Sequence, residues 1–430
     1  MDAASRETPT ESVDLQRFLQ YLASALTHAG EAVNEIQNHL DTVARAYGAF
    51  DARIAVLPTF VVVSLDPTQP ATLEPTRQLA GSFRLDQVSA LYQILDCAKR
   101  REFDALEGCR RVLAVVAMPP RFGPARSVLA QAVLAVGICL ILQPSWGDLF
   151  LAAVFGAALG VLRLFGERWV RAQMVMPAVA ALLVSTLTFW MAQHHWLDAD
   201  LRAMIAPLVT FLPGAALTIA VVELSAAEMV TGASRLVSGG LQLVLLGFGI
   251  VGGAEIVGVN TTSELVNSPH NLLGWWAPWM GLVVFAIGVY VYYSAPRRTF
   301  FWLLVVLLSA WLGQQLGSLV FGGYLSGFFG ALAMTVMAKS LERFPSAPPA
   351  LVSFLPGFWL LVPGALGLIG VTEYLSDDSI AGIQDFLGTL SAIVSIALGV
   401  LCGYPLVTYV TDRYRQVSSL IWRDPNPPAG

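Results

Sequence analysis

Apolar positions recur with two different patterns along the chain, and the change falls near residue 120. Over residues 13–47 they follow the three- and four-residue spacing of a long amphipathic helix or a pair of them. The stretch 53–65 is rich in β-branched residues and predicts a pair of strands. Helical spacing returns over 86–118. These patterns predict a small α+β domain over residues 1–120.

Beyond this domain the apolar stretches become long enough to cross roughly 30 Å of hydrocarbon. They follow one another in regular succession along the chain. The pattern predicts an α-helical polytopic membrane protein with ten transmembrane helices and a polar tail over 411–430. The predicted spans are 127–143, 148–165, 173–193, 201–222, 236–257, 273–293, 299–317, 319–338, 351–372 and 386–410.

Basic residues test this count, because Lys and Arg collect in the cytoplasmic loops of membrane proteins. With the N-terminus inside, twelve basic residues near the membrane fall on the inner side and only Arg202 falls on the outer side. A miscounted span would have reversed the pattern after it. We therefore predict an inner-membrane protein with a cytoplasmic N-terminal domain and a cytoplasmic tail. The twelve inner residues are Arg126, Arg163, Arg168, Arg171, Arg235, Arg297, Arg298, Lys339, Arg343, Arg413, Arg415 and Arg423.

Two segments of the membrane region resemble each other. LPGAALTIAVVEL (212–224) aligns with VPGALGLIGVTEY (362–374) at an offset of 150 residues. A competing register pairs LVTFLPG (208–214) with LVSFLPG (351–357) at an offset of 143. We prefer the first, because it places both Pro-Gly pairs near mid-membrane and also aligns two glutamates.

The ten predicted spans then divide into two five-helix repeats, over 127–257 and 273–410. Since five is an odd number, the two repeats must be inverted relative to each other. Inverted repeats are the architecture that many secondary transporters use for alternating access.

Composition narrows the class of protein. The 430 residues are 56% hydrophobic and 13% charged, whereas soluble domains average about 25% charged residues. Residues 1–126 hold 28 of the 55 charged residues, as expected for a polar domain joined to a membrane domain. The polar N-terminus is not a secretory signal peptide, and the four cysteines predict neither a disulfide framework nor a zinc site. We expect no cofactor, no metal and no nucleic-acid partner.

Pro-Gly pairs are the first candidates for a substrate site. Proline in a helix removes a backbone hydrogen bond, and in lipid the freed groups are costly unless they line a wet cavity or are buried in protein. We therefore predict two discontinuous helices whose exposed backbone ends bind substrate, against the alternative of kinks that only help packing. Thr218, one turn after the first break, either lines this site or bonds back to its own helix. The predicted substrate-binding residues are Pro213, Gly214, Thr218, Pro356, Gly357, Pro363 and Gly364.

Carboxylates within membrane segments mark ion or proton pathways. Glu223 and Glu373 lie at the ends of their predicted spans, and Glu255 lies nearer the outer surface. We predict that these three couple transport to protons, with an interfacial acid as the alternative for each. Glu228 and Arg235 are predicted to form an inner gate or, alternatively, a solvated ion pair.

Four glycine pairs at GxxxG spacing predict close helix packing instead of binding: 156 with 160, 249 with 253, 313 with 317, and 323 with 327.

The segment PGAALTIAVVELSAAEMVTGASRL (213–236) resembles the signature segment of the threonine/serine exporter family, in which PG, LT, an EL pair, a small-residue G and an RL follow in that order. LVPGALG (361–367) resembles the corresponding segment of that family's second membrane half. One departure is found in the first helical region. Where the family usually reads like GASxxRVE, this chain has GEAVNEIQ (30–37), so that Glu35 stands at the arginine and Gln37 at the glutamate.

The resemblance implies a proton-driven secondary exporter of threonine and serine and not an enzyme. The family also includes members linked to dicarboxylate export, which is the alternative substrate class. A membrane-anchored enzyme acting through its cytoplasmic domain is the alternative of another class, although an anchor needs neither ten spans nor paired helix breaks. The expected partners are a small-molecule substrate and membrane lipid, and a homo-oligomer is left open.

Overall fold

The computed structural model describes most of the chain. The described residues are 9–66, 71–75, 83–142, 144–166, 170–194, 201–258, 273–321, 323–344, 346–361, 388, 390–407 and 409.

Residues 9–116, here called the N-terminal region, combine helices with a small sheet. Of the two arrangements predicted for 13–47, the structure has the pair of helices, α1 and α2, which are separated at Gly30, whose φ of +84° favours a residue without a side chain. Leu22 and Leu26 of α1 and Ile36 and Leu40 of α2 are all fully buried. The elements are α1 (Pro9–His28), α2 (Val33–Ala46), β1 (Arg53–Val56), β2 (Phe60–Ser64), β3 (Thr72–Pro75), α3 (Leu85–Lys99) and α4 (Ala105–Val116).

The sheet is antiparallel, in the order β1-β2-β3. Arg53 pairs with Ser64 across β1 and β2, and Val63 pairs with Thr72 across β2 and β3. The sequence predicted only the first two strands. The third was missed because it is a short edge strand that ends in proline, a residue that breaks the pattern of a central strand.

The rest of the described chain is helical. The helices are α5 (Pro124–Ile141), α6 (Trp146–Gly166), α7 (Val170–Gln193), α8 (Leu201–Leu208), α9 (Gly214–Ser225), α10 (Met229–Val257), α11 (Ala277–Tyr292), α12 (Phe300–Phe321), α13 (Gly323–Leu341), α14 (Ala350–Leu361) and α15 (Leu390–Val407).

Within the described residues six helices are long and apolar enough to cross a membrane, or seven if the bent α8–α9 pair is one span. Three further apolar helices are shorter, Ala277–Tyr292, Leu325–Leu341 and Ala350–Leu361. Each of the ten predicted spans overlaps one of these helices or the α8–α9 pair. The protein therefore has the character of a multi-pass membrane protein, while the count of ten spans stays a prediction.

Glycines allow the membrane helices to approach one another closely. A Cβ atom at Gly156 or Gly160 of α6 would collide with the backbone of α5. Gly313 and Gly317 of α12 contact α13 in the same way. The prediction that these GxxxG pairs serve helix packing is confirmed.

A third close contact between helices, made by a further GxxxG pair, recurs later in the chain. On α10, Gly249 and Gly253 lie against α7, where a Cβ would meet Ala181 and Ser185. On α15, Gly399 and Gly403 lie against α13, where a Cβ would meet Ala331 and Thr335. All four residues of the first contact are 150 residues before their counterparts in the second, which is the offset of the preferred sequence alignment.

The N-terminal region packs directly against membrane helices. The Leu85 N–H at the start of α3 donates a hydrogen bond to the Tyr293 carbonyl at the end of α11, with an N–O distance of 3.0 Å. The Arg121 guanidinium donates to the Ala295 carbonyl. Val33, at the start of α2, contacts α9. The Val33 contact brings the N-terminal region to α9, the helix that carries the predicted Glu223.

Candidate functional site

The predicted break at Pro213–Gly214 is present. Helix α8 passes into a short 3-10 turn (Val209–Phe211), and α9 begins anew at Gly214. The segments Met204–Phe211 and Gly214–Ser225 are bent by 49°. Pro213 has no N–H to continue the helix and stands at the N-cap of α9. The fourth predicted span is thus interrupted at the position that the sequence indicated.

Two glutamines bond to the polar groups around this break. The Gln242 side chain of α10 donates to the Phe211 carbonyl at 2.6 Å. The Gln131 side chain of α5 donates to the Thr210 hydroxyl at 3.0 Å. Gln131 is buried, and its Oε1 has no hydrogen-bond partner among the described residues. The break therefore carries a small polar cluster inside an otherwise apolar helix bundle.

Thr218 lies one turn beyond the break and is fully buried. Its hydroxyl donates to the Gly214 carbonyl of its own helix at 2.9 Å. Of the two roles that the sequence left open, this structure has the bond back to the helix. The hydroxyl oxygen keeps its acceptor capacity toward the break.

Glu223, near the end of α9, is the more deeply buried of the two predicted carboxylates that the structure describes, with no exposed surface. Its Oε2 lies 3.1 Å from Nε of Arg235, and its Oε1 accepts a hydrogen bond from the Val33 N–H at 3.1 Å. Arg235 also donates to the Glu31 carbonyl at 3.0 Å. The carboxylate therefore joins two membrane helices to the start of α2, instead of facing water at the membrane surface.

The predicted pairing of Glu228 with Arg235 is wrong in this structure. Arg235 forms its ion pair with Glu223, while Glu228 stands at the N-cap of α10 and is half-buried. The reason is geometric, because Arg235 is two turns into α10 and its side chain points toward α9 and α2. Glu255 lies in the last turn of α10 and is exposed, as expected for an interfacial acid.

Only one of the two Pro-Gly pairs predicted to break the second helix lies within the described residues. Helix α14 runs without interruption through Pro356 and Gly357, so the prediction of a helix break at this pair is wrong. Gly357 instead lies against Met334 of α13, which a Cβ would overlap. Pro363, Gly364 and Glu373 lie outside the described residues.

Sequence reasoning missed Gln131, Gln242 and Glu31 as members of the site. The two glutamines could have been found, because an amide within an apolar span needs a hydrogen-bond partner. Glu31 has no such signal, since it lies in the polar N-terminal part of the chain and reaches α10 only through the fold.

Residues 17–257 match the profile of a protein family described as "Putative threonine/serine exporter". The match covers more than half of the chain, from α1 to the end of α10. The chain belongs to this exporter family. Neither a curated protein nor a solved structure gives a significant match.

Family membership identifies the class of protein in which these residues are found. The matched residues include the interrupted span and the Glu223–Arg235 pair, while the chain from residue 258 lies beyond the match. The exporter family is a transporter family, and the helices long enough to cross a membrane agree with a multi-pass membrane protein.

Proposed function

We propose that the protein is a secondary active exporter of small hydrophilic amino acids, threonine and serine, in the cell inner membrane. The interrupted α8–α9 span carries this proposal, because it lies in the segment shared with the exporter family and gathers polar groups within an apolar bundle. A discontinuous helix of this kind is a recurrent substrate site in transporters. The substrate-binding residues in this half are Pro213, Gly214 and Thr218.

The chemistry of the break suits a small zwitterion with a hydroxyl group. The first N–H groups of α9 have no helical partners and carry the positive end of the helix dipole, which favours a carboxylate. Oε1 of Gln131, which has no partner among the described residues, is an acceptor for an ammonium or hydroxyl group. Both ends of an amino acid thus find complementary groups at one break.

Two inverted five-helix repeats form the proposed transport domain. The glycine contact between the third and fifth helices of each set, repeated after 150 residues, supports this duplication. It also supports the register that aligns Glu223 with Glu373 and Pro213–Gly214 with Pro363–Gly364. The competing register at 143 aligns the interrupted Pro213 with Pro356, where α14 is continuous.

Proton coupling is proposed to act through Glu223, with Glu373 as its counterpart in the second repeat and Glu255 as a weaker candidate because it is exposed. Oε2 of Glu223 lies within ion-pair distance of Arg235 but has no hydrogen-bond partner among the described residues, and Oε1 accepts a hydrogen bond from the Val33 N–H. A proton on this carboxylate would remove one charge of the ion pair and free Arg235. Arg235, with Glu228 at the start of its helix, would then act as an inner gate that opens when α2 withdraws.

Export measurements test the function directly. Cells expressing the protein are loaded with labelled threonine, serine or a dicarboxylate, and efflux is compared with that of cells lacking it. We expect faster efflux of threonine and serine, and dissipation of the proton gradient should reduce it. Efflux of the dicarboxylate alone would instead favour the other substrate class of this family, and no efflux of any of them would contradict the proposal.

A further inference from the structure

A cavity of about 820 Å³ lies where the N-terminal region meets the membrane helices. Helices α2 and α3 contribute its polar wall, and α9, α13, α14 and α15 contribute the opposite wall. The break at Pro213–Gly214 is not among its lining residues, so this is a second compartment. Val222, next to Glu223 in α9, does line it.

Two acceptor oxygens beside this cavity lack a donor within the described part of the chain. Glu31 is 7% exposed, and its Oε1 accepts a hydrogen bond from the Tyr92 hydroxyl. Its Oε2 has no hydrogen-bond partner, and neither has Oδ1 of Asn34. A buried carboxylate oxygen without a donor is costly unless a ligand supplies one. Both oxygens are enclosed by the protein, so their side chains must turn toward the cavity to meet an ammonium group, which has three donors.

The other charges of the cavity set the class of ligand. Four carboxylates line it against two lysines and one histidine. Lys99 lies 3.2 Å from His39, with Nζ facing Nδ1, and the other ring nitrogen of His39, Nε2, lies 3.6 Å from Oε1 of Glu31. Lys339 is engaged by Glu342. The excess of carboxylates therefore favours a positively charged group in the cavity. One cation, Lys99, is not paired with a carboxylate in any described ion pair. The carboxylates are Glu31, Glu35, Asp96 and Glu342.

We propose that this cavity is a loading site that selects amino acids by their ammonium group before they reach the interrupted span. The ammonium group binds between Glu31 and Asn34, and the α-carboxylate binds toward Lys99. A dicarboxylate would bring two negative charges against four carboxylates and is rejected. This inference rests on the proposed export function and decides between its two substrate classes.

The position of Glu31 connects the cavity with the proposed gate. Its side chain lines the cavity, while its own carbonyl accepts a hydrogen bond from Arg235. Val33, two residues later, donates to Glu223. A ligand that shifts Glu31 thus acts on both partners of the ion pair.

Protection from labelling tests whether a ligand occupies this cavity. Gln93 lines the cavity and is exposed, so Gln93→Cys in a cysteine-free full-length protein should react with a thiol reagent. L-Threonine should slow this labelling, whereas N-acetyl-L-threonine, which lacks the ammonium group, and succinate should not. Glu107→Cys on α4, at a side chain that is 38% exposed and does not line the cavity, is the control and should be labelled at the same rate with or without threonine.

The second step replaces the proposed ammonium ligand. In the Gln93→Cys background, Glu31→Gln should raise the threonine concentration needed for protection about tenfold or more, as for a lost hydrogen bond to a charged group. Glu35→Gln, at a half-buried position of the same wall, should also raise it and serves if the first variant does not assemble. Protection by succinate equal to that by threonine, or no protection while threonine export persists, overturns the loading site and leaves the export function standing. Absence of threonine export in the native protein overturns both.

Discussion

Glu223 shows how a single buried charge is held in this molecule. Removing a carboxylate or a guanidinium from water costs roughly several kcal/mol of hydration free energy for each ion. This cost is offset only when the two ions have good mutual geometry and form further hydrogen bonds. Here the 3.1 Å ion pair with Arg235 is completed by the Val33 N–H and the Glu31 carbonyl. The pair and its two hydrogen-bond partners come from α9, α10 and the chain at the start of α2, so the pair stabilises one relative arrangement of these three elements.

The first prediction concerns Glu223→Gln. A glutamine can still accept from Val33, but it cannot exchange a proton, so substrate exchange should persist while proton-driven accumulation is lost. Reconstituted vesicles with an imposed pH gradient measure both activities in one preparation. Glu102→Gln, an exposed carboxylate of the N-terminal region, is the control and should transport like the native protein. Undiminished gradient-driven uptake by Glu223→Gln would remove this residue from the coupling mechanism.

Sequence alone could identify Glu223 but not its surroundings. An acid at the end of an apolar span is visible in any sequence, whereas its hydrogen-bond partner Val33 lies 190 residues away along the chain. The sequence also indicates Arg235, but it predicts a pair with Glu228, which is nearer along the chain. Spacing along a helix predicts neighbours on that helix, and the ion pair is instead decided by how α9 packs against α10.

At the scale of elements, side chains from neighbouring helices form hydrogen bonds with the polar groups at the interruption of the α8–α9 span. The Phe211 carbonyl loses its helical partner at the break and is satisfied by Gln242. The sequence predicted the break at Pro213 correctly and at Pro356 wrongly, although both are Pro-Gly pairs. Proline removes one hydrogen bond in each case, and the surrounding packing decides whether the helix breaks or continues.

The second prediction tests this support through Gln242→Leu. Leucine has a similar size but no donor, so the Phe211 carbonyl would be left buried and unsatisfied at a cost of about 1–3 kcal/mol. We expect a lower thermal stability of the purified protein and reduced transport, both measured on the same sample. Ser238→Leu, on an exposed position one turn earlier in α10, is the matched control. Equal losses in both variants would show that any added leucine on this helix is harmful.

The third prediction concerns the backbone at the break. Gly214 is buried at the first position of α9, where a side chain would fill the space between backbone and substrate. Gly214→Leu should abolish transport while the protein still reaches the membrane, and Gly364→Leu should do the same if the repeats are equivalent. Membrane fractions probed by immunoblotting, together with efflux of labelled threonine, separate loss of function from loss of protein. Full activity in both variants would mean that the Pro-Gly pairs serve packing alone.

At the scale of the whole molecule, both the sequence and the helix packing support the proposed duplication. The sequence shows it through short matching segments, and two offsets compete because short apolar motifs match by chance. The recurring contact of α10 with α7 and of α15 with α13 involves four residues in register and favours 150. How the N-terminal region docks on the membrane helices could not be predicted, since it depends on single contacts such as Leu85 with Tyr293.

The last prediction concerns the orientation of the whole chain in the membrane. Twelve basic residues near the membrane fall on one predicted side and one on the other, and this asymmetry predicts that the N-terminal region and the loop after α13 lie in the cytoplasm. In a variant without its native cysteines, Ser376→Cys should be labelled by an impermeant thiol reagent in intact cells. Ser340→Cys should be labelled only after the cells are made permeable. An odd number of spans between these two positions gives this opposite result, whereas an even number would expose both to the same side. Labelling of Ser340→Cys in intact cells would therefore contradict the predicted orientation, and labelling of both variants in intact cells would contradict the span predicted between them.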